Sequence, residues 1–250
     1  MGFLLFWGCQ VVNFWSRSIE LIGSKGLERL AEARVVIIGT GGVGSFVVEG
    51  LARAGVGYLE LIDPDIVKPS NVNRQLPALS STLGEPKVEV LARRCRDINP
   101  SATIIPRQEA YSPEKSSRFI REDINYIVDA IDDVSAKIDL LVQSIKLKQS
   151  IVSSMGTGKR LDPTLLKVAD ISETRGCPLA RVVRRGLKAQ GITRGLKVVY
   201  TEEPPIKKRQ ATHDGPKRPI GSMIFVPAVA GLTLASLVVR DLLEGKKHIY

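Results

Sequence analysis

Residues 35–63 read VVIIGTGGVGSFVVEGLARAGVGYLELID, and few stretches leave a chain less choice of fold. A β-branched run ends at Gly39. Glycines follow, then Val43, Val47, Leu51 and Ala54 recur at helical spacing, and a second apolar run ends at Asp63. Parallel strands joined through a helix belong to a sheet covered on both faces. Gly39, Gly41 and Gly44 are spaced G-x-G-x-x-G, with Gly42 and Ser45 in the same loop. The first glycine allows a tight turn, the second lets backbone approach phosphate, and the third lets the helix pack on the strand. The helix N-terminus then attracts negative charge. Asp63, 19 residues beyond Gly44, stands where a carboxylate can bind ribose hydroxyls. These residues alone fit a nicotinamide dehydrogenase and other nucleotide chemistry equally well.

The remaining pattern predicts an α/β fold with a doubly wound, mostly parallel, Rossmann-like sheet. SRSIELIGSKGLERLAEA (16–33) reads as two short helices around a turn with Gly23 and Gly26. KVEVLARRCRDI reads as a helix ended by Asn99-Pro100, ATIIPRQ as a third strand, NYIVDAIDDVSAKIDLLVQSIKLKQ as strand, turn and helix, and SIVSSMG as a fifth strand. Beyond residue 160, LLKVADISET and LKVVYTEEPP read as strands around a basic helix over 178–190. IGSMIFVPAVAGLTLASLVV (220–239) matches the ~20 residues of a membrane span. Pro227, however, suits the first turn of a helix running to about Leu243 and stopping at Gly245. A helix buried against the sheet is expected there, with membrane contact the lesser alternative. The chain is expected to form a single domain over 14–250: a nucleotide-binding core (14–160), a basic substrate-binding segment (161–220) and a C-terminal packing element (221–245). Residues 1–13 form an arm, apolar but lacking the basic region and cleavage site of a signal peptide.

Charge is uneven. Of a net +10, residues 175–218 carry a surplus of nine, with twelve Lys/Arg against Glu202, Glu203 and Asp214. That asymmetry predicts an anionic partner larger than a nucleotide. Arg181, Arg184, Arg185 and Lys188 fall on one helical face, and Lys207, Lys208 and Arg209 form a second cluster. The three cysteines, Cys9, Cys95 and Cys177, are scattered, which points to a reducing compartment such as the cytoplasm. None forms a CxxC pair, so no zinc ribbon is expected. His213 and His248 lie away from every motif, which argues against histidine-based catalysis.

A dehydrogenase has no need of the run that follows its second strand here, DPDIVKPSNVNRQ (63–75). It supplies Asp63, Asp65, Asn71, Asn73, Arg74 and Gln75, and Lys87 opens the next helix. Arginine and lysine suit a triphosphate, and the amides add directional hydrogen bonds. Asp129 and Asp132 fall at a strand end, where a carboxylate can hold phosphate-bound Mg²⁺.

Over about residues 14–160 this constellation resembles the ubiquitin-activating-enzyme-like superfamily. The resemblance implies ATP-dependent adenylation of a carboxylate. It implies that GTGGVGS is the glycine loop, that Asp63 binds ribose, that Asn71, Arg74, Gln75 and Lys87 meet phosphate, and that Asp132 holds magnesium. It also implies that Arg17, in SRSIELIG, reaches the ATP of a partner subunit in a homodimer. Farther on, RGCPLARVVRRGLKAQGITRGLKVVYTEEPP and GSMIFVPAVAGLTLASLVVRDLL are similar to the tRNA threonylcarbamoyladenosine dehydratase family, through Leu243. That second resemblance implies a tRNA substrate, cyclised and dehydrated beside its anticodon, and assigns the basic residues above to its phosphates. A rival reading is an adenylyltransferase for a sulfur-carrier protein; the basic segment and the missing CxxC pairs count against it. A sulfur-relay partner stays open, and Cys177 reads as structural ahead of a thioester role.

Overall fold

The structure, a computed structural model, describes residues 14–206 and 220–245, together with the backbone of two short strands before them. Those strands, β1 (Leu5–Trp7) and β2 (Gln10–Val12), pair antiparallel where the sequence suggested only an arm. Helix α1 (Ser16–Glu32) is broken at Gly23 alone, with φ 69° and ψ 168°. The expected pair of helices is therefore present with a shorter break than anticipated. Gly26 stays helical and lies against Ile22 and Leu243, where a side chain would crowd both.

A seven-stranded sheet follows in the order β5-β4-β3-β6-β7-β9-β8. Its strands are β3 (Arg34–Ile38), β4 (Tyr58–Ile62), β5 (Thr103–Arg107), β6 (Tyr126–Asp129), β7 (Ile151–Ser154), β8 (Leu166–Asp170) and β9 (Lys197–Thr201). All pairings are parallel except β8 with β9. The helices are α2 (Gly44–Ala54), α3 (Lys87–Ile98), the short α4 (Ser116–Phe119), α5 (Val134–Lys146), α6 (Pro178–Ala189) and α7 (Phe225–Glu244). The doubly wound expectation holds, and the strands of the basic segment join the same sheet.

The apolar strand runs are explained by burial on both faces. Val35 and Ile37 of β3 enter one core with Val47 and Leu51 of α2, Leu91 of α3 and Leu234 of α7. Val36 and Ile38 enter the other with Leu140 of α5 and Val183 and Leu187 of α6. Helix α7 is long and apolar enough to cross a membrane, but half of its apolar window is buried. Buried Asp241 on α7 accepts from the Tyr126 hydroxyl (2.8 Å) and pairs with Lys197 (3.1 Å), tying the helix to β6 and β9. The helix ends at Gly245, in the left-handed region with φ 65°, as the sequence indicates.

Candidate nucleotide and substrate site

After β3 and β4 the chain continues outward to β5, then returns to β6 on the other side of β3. Such a reversal opens a crevice at the strand C-termini, where open α/β sheets bind ligands. The glycine loop occupies it. Gly39 adopts φ 90°, and a Cβ there would lie 2.5 Å from the Ala130 carbonyl oxygen after β6. A Cβ on Gly44 would run into the Gly39 carbonyl. At Gly41 the nearest atom to such a Cβ is Gln75 Nε2, at 3.8 Å, so this backbone is open to a ligand. Helix α2 starts there with no side-chain cap and no acid in its first turn, so no negative side chain offsets the positive end of its dipole.

The 63–75 run is folded against this loop. The Thr40 N–H donates to Asp63 Oδ2 (2.7 Å) and the Asp65 N–H to Asp63 Oδ1 (2.9 Å). Lys87 Nζ lies 2.7 Å from Asp65 Oδ2 and 3.9 Å from Asp63 Oδ1, and the residue is only 4% exposed. The Leu76 N–H donates to Ser45 Oγ (3.3 Å) and the Lys68 N–H to Asn71 Oδ1 (3.0 Å). Arg74 lays its stem beside Gly42 while its guanidinium donates to the Ser70 carbonyl and Asn73 Oδ1, both at 2.8 Å. Thr40 Oγ1 and Gln75 Oε1 are buried without a partner, orphaned polar atoms at the mouth of the loop that a bound nucleotide would satisfy.

At the end of β6 the two aspartates separate. Asp129 is wholly buried and paired with Lys137 (2.6 Å); its Oδ2 also accepts from the Ser153 hydroxyl (2.5 Å), and its Oδ1 from the Ile131 N–H (3.0 Å). It therefore shapes the turn that presents Asp132, which is exposed. Among the described residues no group of three or more His, Cys, Asp or Glu could hold a metal. A single carboxylate beside a phosphate loop suits Mg²⁺, which keeps several waters and binds through one or two carboxylates plus phosphates.

Arg17 lies exposed on α1, and no hydrogen bond among the described residues joins it to its own glycine loop. On α6, Arg181, Arg185 and Lys188 are exposed, whereas Ala180, Val183 and Leu187 are buried. Arg184 corrects the expected four-residue basic face. It turns inward and donates to the Thr174 carbonyl (2.7 Å) and hydroxyl, holding the turn before α6. Lys207, Lys208 and Arg209 lie outside the described residues, as do Cys9, His213 and His248. Cys177 is buried, close to the position a Cβ on Gly156 would take (3.6 Å). Cys95 is buried too, and burial pushes its thiol up to about 12. Two contributors were not singled out from the sequence, and a third, Pro227, was read there only as a helix start. Thr40 belongs to the quoted loop, Lys137 stands eight residues after Asp129, and Pro227 packs on Gly42.

The ThiF family model matches residues 15–249. The chain belongs to the ThiF family. Within it, the chain is similar to the tRNA threonylcarbamoyladenosine dehydratase of Bacillus subtilis (strain 168), with 42% identity covering 94% of this chain and 96% of that protein. The Escherichia coli (strain K12) enzyme of the same description is 32% identical, covering 90% and 91%. The crystal structure of E. coli TcdA in complex with ATP superimposes with a TM-score of 0.84 at 31% identity, covering 92% of this chain and 94% of that one. A ThiF-family glycine loop at the switch point thus coincides with a fold shared with an ATP-bound relative.

Proposed function

We propose that this ThiF-family protein is an ATP-dependent tRNA threonylcarbamoyladenosine dehydratase. The observation that carries the reading is the open glycine loop at the sheet's switch point, with Asp63, Arg74 and Lys87 folded against it and Asp132 in the turn after β6, whose Ala130 carbonyl borders Gly39. The triphosphate lies along that loop and the α2 N-terminus, with Lys87 and Arg74 neutralising it and Asp63 taking the ribose. Asp132 would hold Mg²⁺, whose contribution is to draw charge off the phosphates. The threonylcarbamoyl carboxylate attacks the α-phosphorus, and pyrophosphate leaves. A nucleophile of the same side chain then attacks the activated acyl carbon, and AMP leaves with the carboxylate oxygen. The RNA product has lost one water. Ring closure is intramolecular, with effective molarities of ~10⁵ M or more for well-oriented groups, so no enzyme nucleophile is required. The burial of Cys95 and Cys177 agrees with that economy.

Arg181, Arg185 and Lys188 take tRNA phosphates, with Lys207, Lys208 and Arg209 added on sequence grounds. The working unit is a homodimer in which each Arg17 completes the other subunit's site, and the single adenylation domain acts in a reducing, tRNA-containing compartment. Mixing an Arg17→Ala subunit with a Lys87→Ala subunit restores one intact site per heterodimer under this arrangement. The deciding experiment is nucleoside mass spectrometry of tRNA incubated with ATP, Mg²⁺ and the protein. Loss of one water from threonylcarbamoyladenosine is the expected result; unchanged nucleoside beside adenylation of a carrier-protein C-terminus would replace this reading with its rival.

A further inference from the structure

Arg160 is 4% exposed, yet no acid among the described residues pairs with it. Its Nη1 donates to the Gly158 carbonyl (2.7 Å), and its Nε is buried without any partner. Two acids stand close by in the fold and are committed elsewhere. Glu203 accepts from the backbone N–H groups of Leu161 (3.0 Å) and Asp162 (3.1 Å), and Asp162 accepts from Thr164 (2.8 Å). Among the described residues none forms an ion pair with Arg160. A guanidinium cannot shed its proton to escape burial, so an uncompensated one is costly unless a ligand supplies the counter-charge.

Its position links it to the site. Residues 156–161 leave the C-terminal end of β7, next to the β6 end that presents Asp132. The Lys159 N–H donates to the Gly221 carbonyl (2.8 Å), and the next carbonyl, that of Ser222, accepts from Asn73 Nδ2 (2.8 Å). Asn73 in turn holds Arg74, whose stem lies beside Gly42, as does Pro227. Hydrogen bonds therefore link the segments 156–161, 220–222 and 71–75 in series, which brings the segment carrying Arg160 into the neighbourhood of Arg74 and the glycine loop. Arg74 is partly buried and makes both of its bonds to its own loop through Nη1; Arg160 is buried and makes a single bond, to a backbone carbonyl.

Resting on the dehydratase reading, we propose that Arg160 is an oxyanion-binding residue of this site. It takes one anionic group of the RNA substrate, either the carboxylate of the threonylcarbamoyl group or the phosphate beside the modified nucleoside. The guanidinium fork matches both, and holding either places the carboxylate against the α-phosphate.

The test uses the full chain with Arg160→Gln and Arg160→Lys, and measures affinity for two tRNAs, one carrying threonylcarbamoyladenosine and one unmodified, alongside ATP affinity and thermal midpoint. Arg160→Gln should weaken binding of the modified tRNA about 10–100-fold, the range for a lost hydrogen bond to a charged group. ATP affinity should stay within twofold, and Arg160→Lys should recover part of the loss. A loss confined to modified tRNA identifies the carboxylate; an equal loss for both tRNAs identifies the phosphate. The proposal is overturned if both variants bind tRNA as the wild type does, or if both lose ATP affinity and thermal midpoint along with it, which marks a scaffold residue. Wild-type protein that fails to dehydrate the modified tRNA would sink the dehydratase reading itself, whatever the variants do.

Discussion

Around the glycine loop the charged groups are tied to one another: Asp63 accepts from Thr40 and Asp65, and Lys87 is enclosed between two carboxylates. On α6, Arg181, Arg185 and Lys188 face solvent, and the one arginine of that helix with a fixed geometry, Arg184, spends it on the protein's own turn. The contrast matches the two ligands. Adenylation needs the α-phosphate aligned with an attacking oxygen, so small displacements are expensive and the groups are held before the ligand arrives. A long polyanion gains affinity from charge density through counterion release, which asks little of side-chain geometry. One half of the molecule should therefore respond sharply to small structural changes, and the other should respond gradually to charge.

The largest expected effect is in the tied half. Gly44→Ala forces a Cβ into the Gly39 carbonyl oxygen, and neither backbone segment has room to retreat. We expect a loss of about 3 kcal/mol or more, at the upper end of overpacking costs, and no measurable ATP binding. Gly84→Ala is the control. Gly84, unlike Gly44, has a positive φ, 86°, and nothing lies within 4 Å of its missing side chain. It should cost ~1–2 kcal/mol of backbone strain and leave ATP affinity intact. Equal behaviour of the two variants in thermal unfolding and titration calorimetry would dissolve the contrast drawn above.

Next comes Asp132→Ala. Asp132 is exposed and makes no bond to its surroundings among the described residues, so stability should shift by no more than ~0.5 kcal/mol. Turnover should fall by roughly 10²–10³, the scale for removing one group that stabilises transition-state charge. The companion substitution Asp129→Ala should instead destabilise the fold, because it strands the buried ammonium of Lys137. A stable, fully active Asp132→Ala protein would remove the magnesium role.

The basic half supplies a smaller effect and a finer test. Arg185→Glu should weaken tRNA binding and flatten its salt dependence by a slope of roughly one per lost phosphate contact, with ATP affinity unchanged. Arg184→Ala should act differently, costing ~1–2 kcal/mol of stability through the lost bonds to Thr174. Filter binding across a salt series, read beside thermal midpoints, separates the two. If Arg184 and Arg185 prove interchangeable, helical position alone governs this surface.

That difference also shows where the sequence stops being legible. The inner strands stood out because residues buried on both faces read as continuous apolar runs, whereas the edge strands β5 and β8 are more exposed; the nucleotide site stood out because most of its polar groups lie in one contiguous stretch, 63–75. Side-chain direction was less accessible. Arg184 sits on the border between the face carrying Val183 and Leu187 and the face carrying Arg185 and Lys188, and periodicity cannot say to which side a long side chain bends. The Asp129–Lys137 pair joins a strand end to a helix, so it depends on the turn between them. The antiparallel arrival of β8 beside β9 and the empty setting of Arg160 are tertiary facts with no local signature.

Glu49 belongs to neither half and gives the smallest effect. It lies on the outer side of α2, where Arg53 (2.7 Å) and Arg94 (2.7 and 2.9 Å) both donate to it. Burial pushes its carboxyl upward, but the hydrogen bonds and charges of Arg94 and Arg53 outweigh burial and hold it below the ordinary value of 4.5. A carboxyl depressed in the folded state contributes stability that is fully present above its unfolded value and is lost as pH falls through the folded one. Glu49→Gln should therefore cost about 0.5–1 kcal/mol at pH 7, the scale of a partly exposed ion-pair network. The gap to wild type should begin to narrow as pH falls below the ordinary 4.5 and close as pH falls through the lower folded-state value, where the wild-type carboxyl is neutral too. Unfolding midpoints of both proteins at pH 7 and pH 3 make the comparison. A gap that stays constant would show that Glu49 acts by packing. ATP affinity of Glu49→Gln at pH 7 should equal that of wild type, because the carboxylate faces away from the uncapped end of α2. A drop in that affinity would mean that the phosphate site is tied to the outer surface of its own helix, more widely than the bonds between Asp63, Asp65 and Lys87 imply.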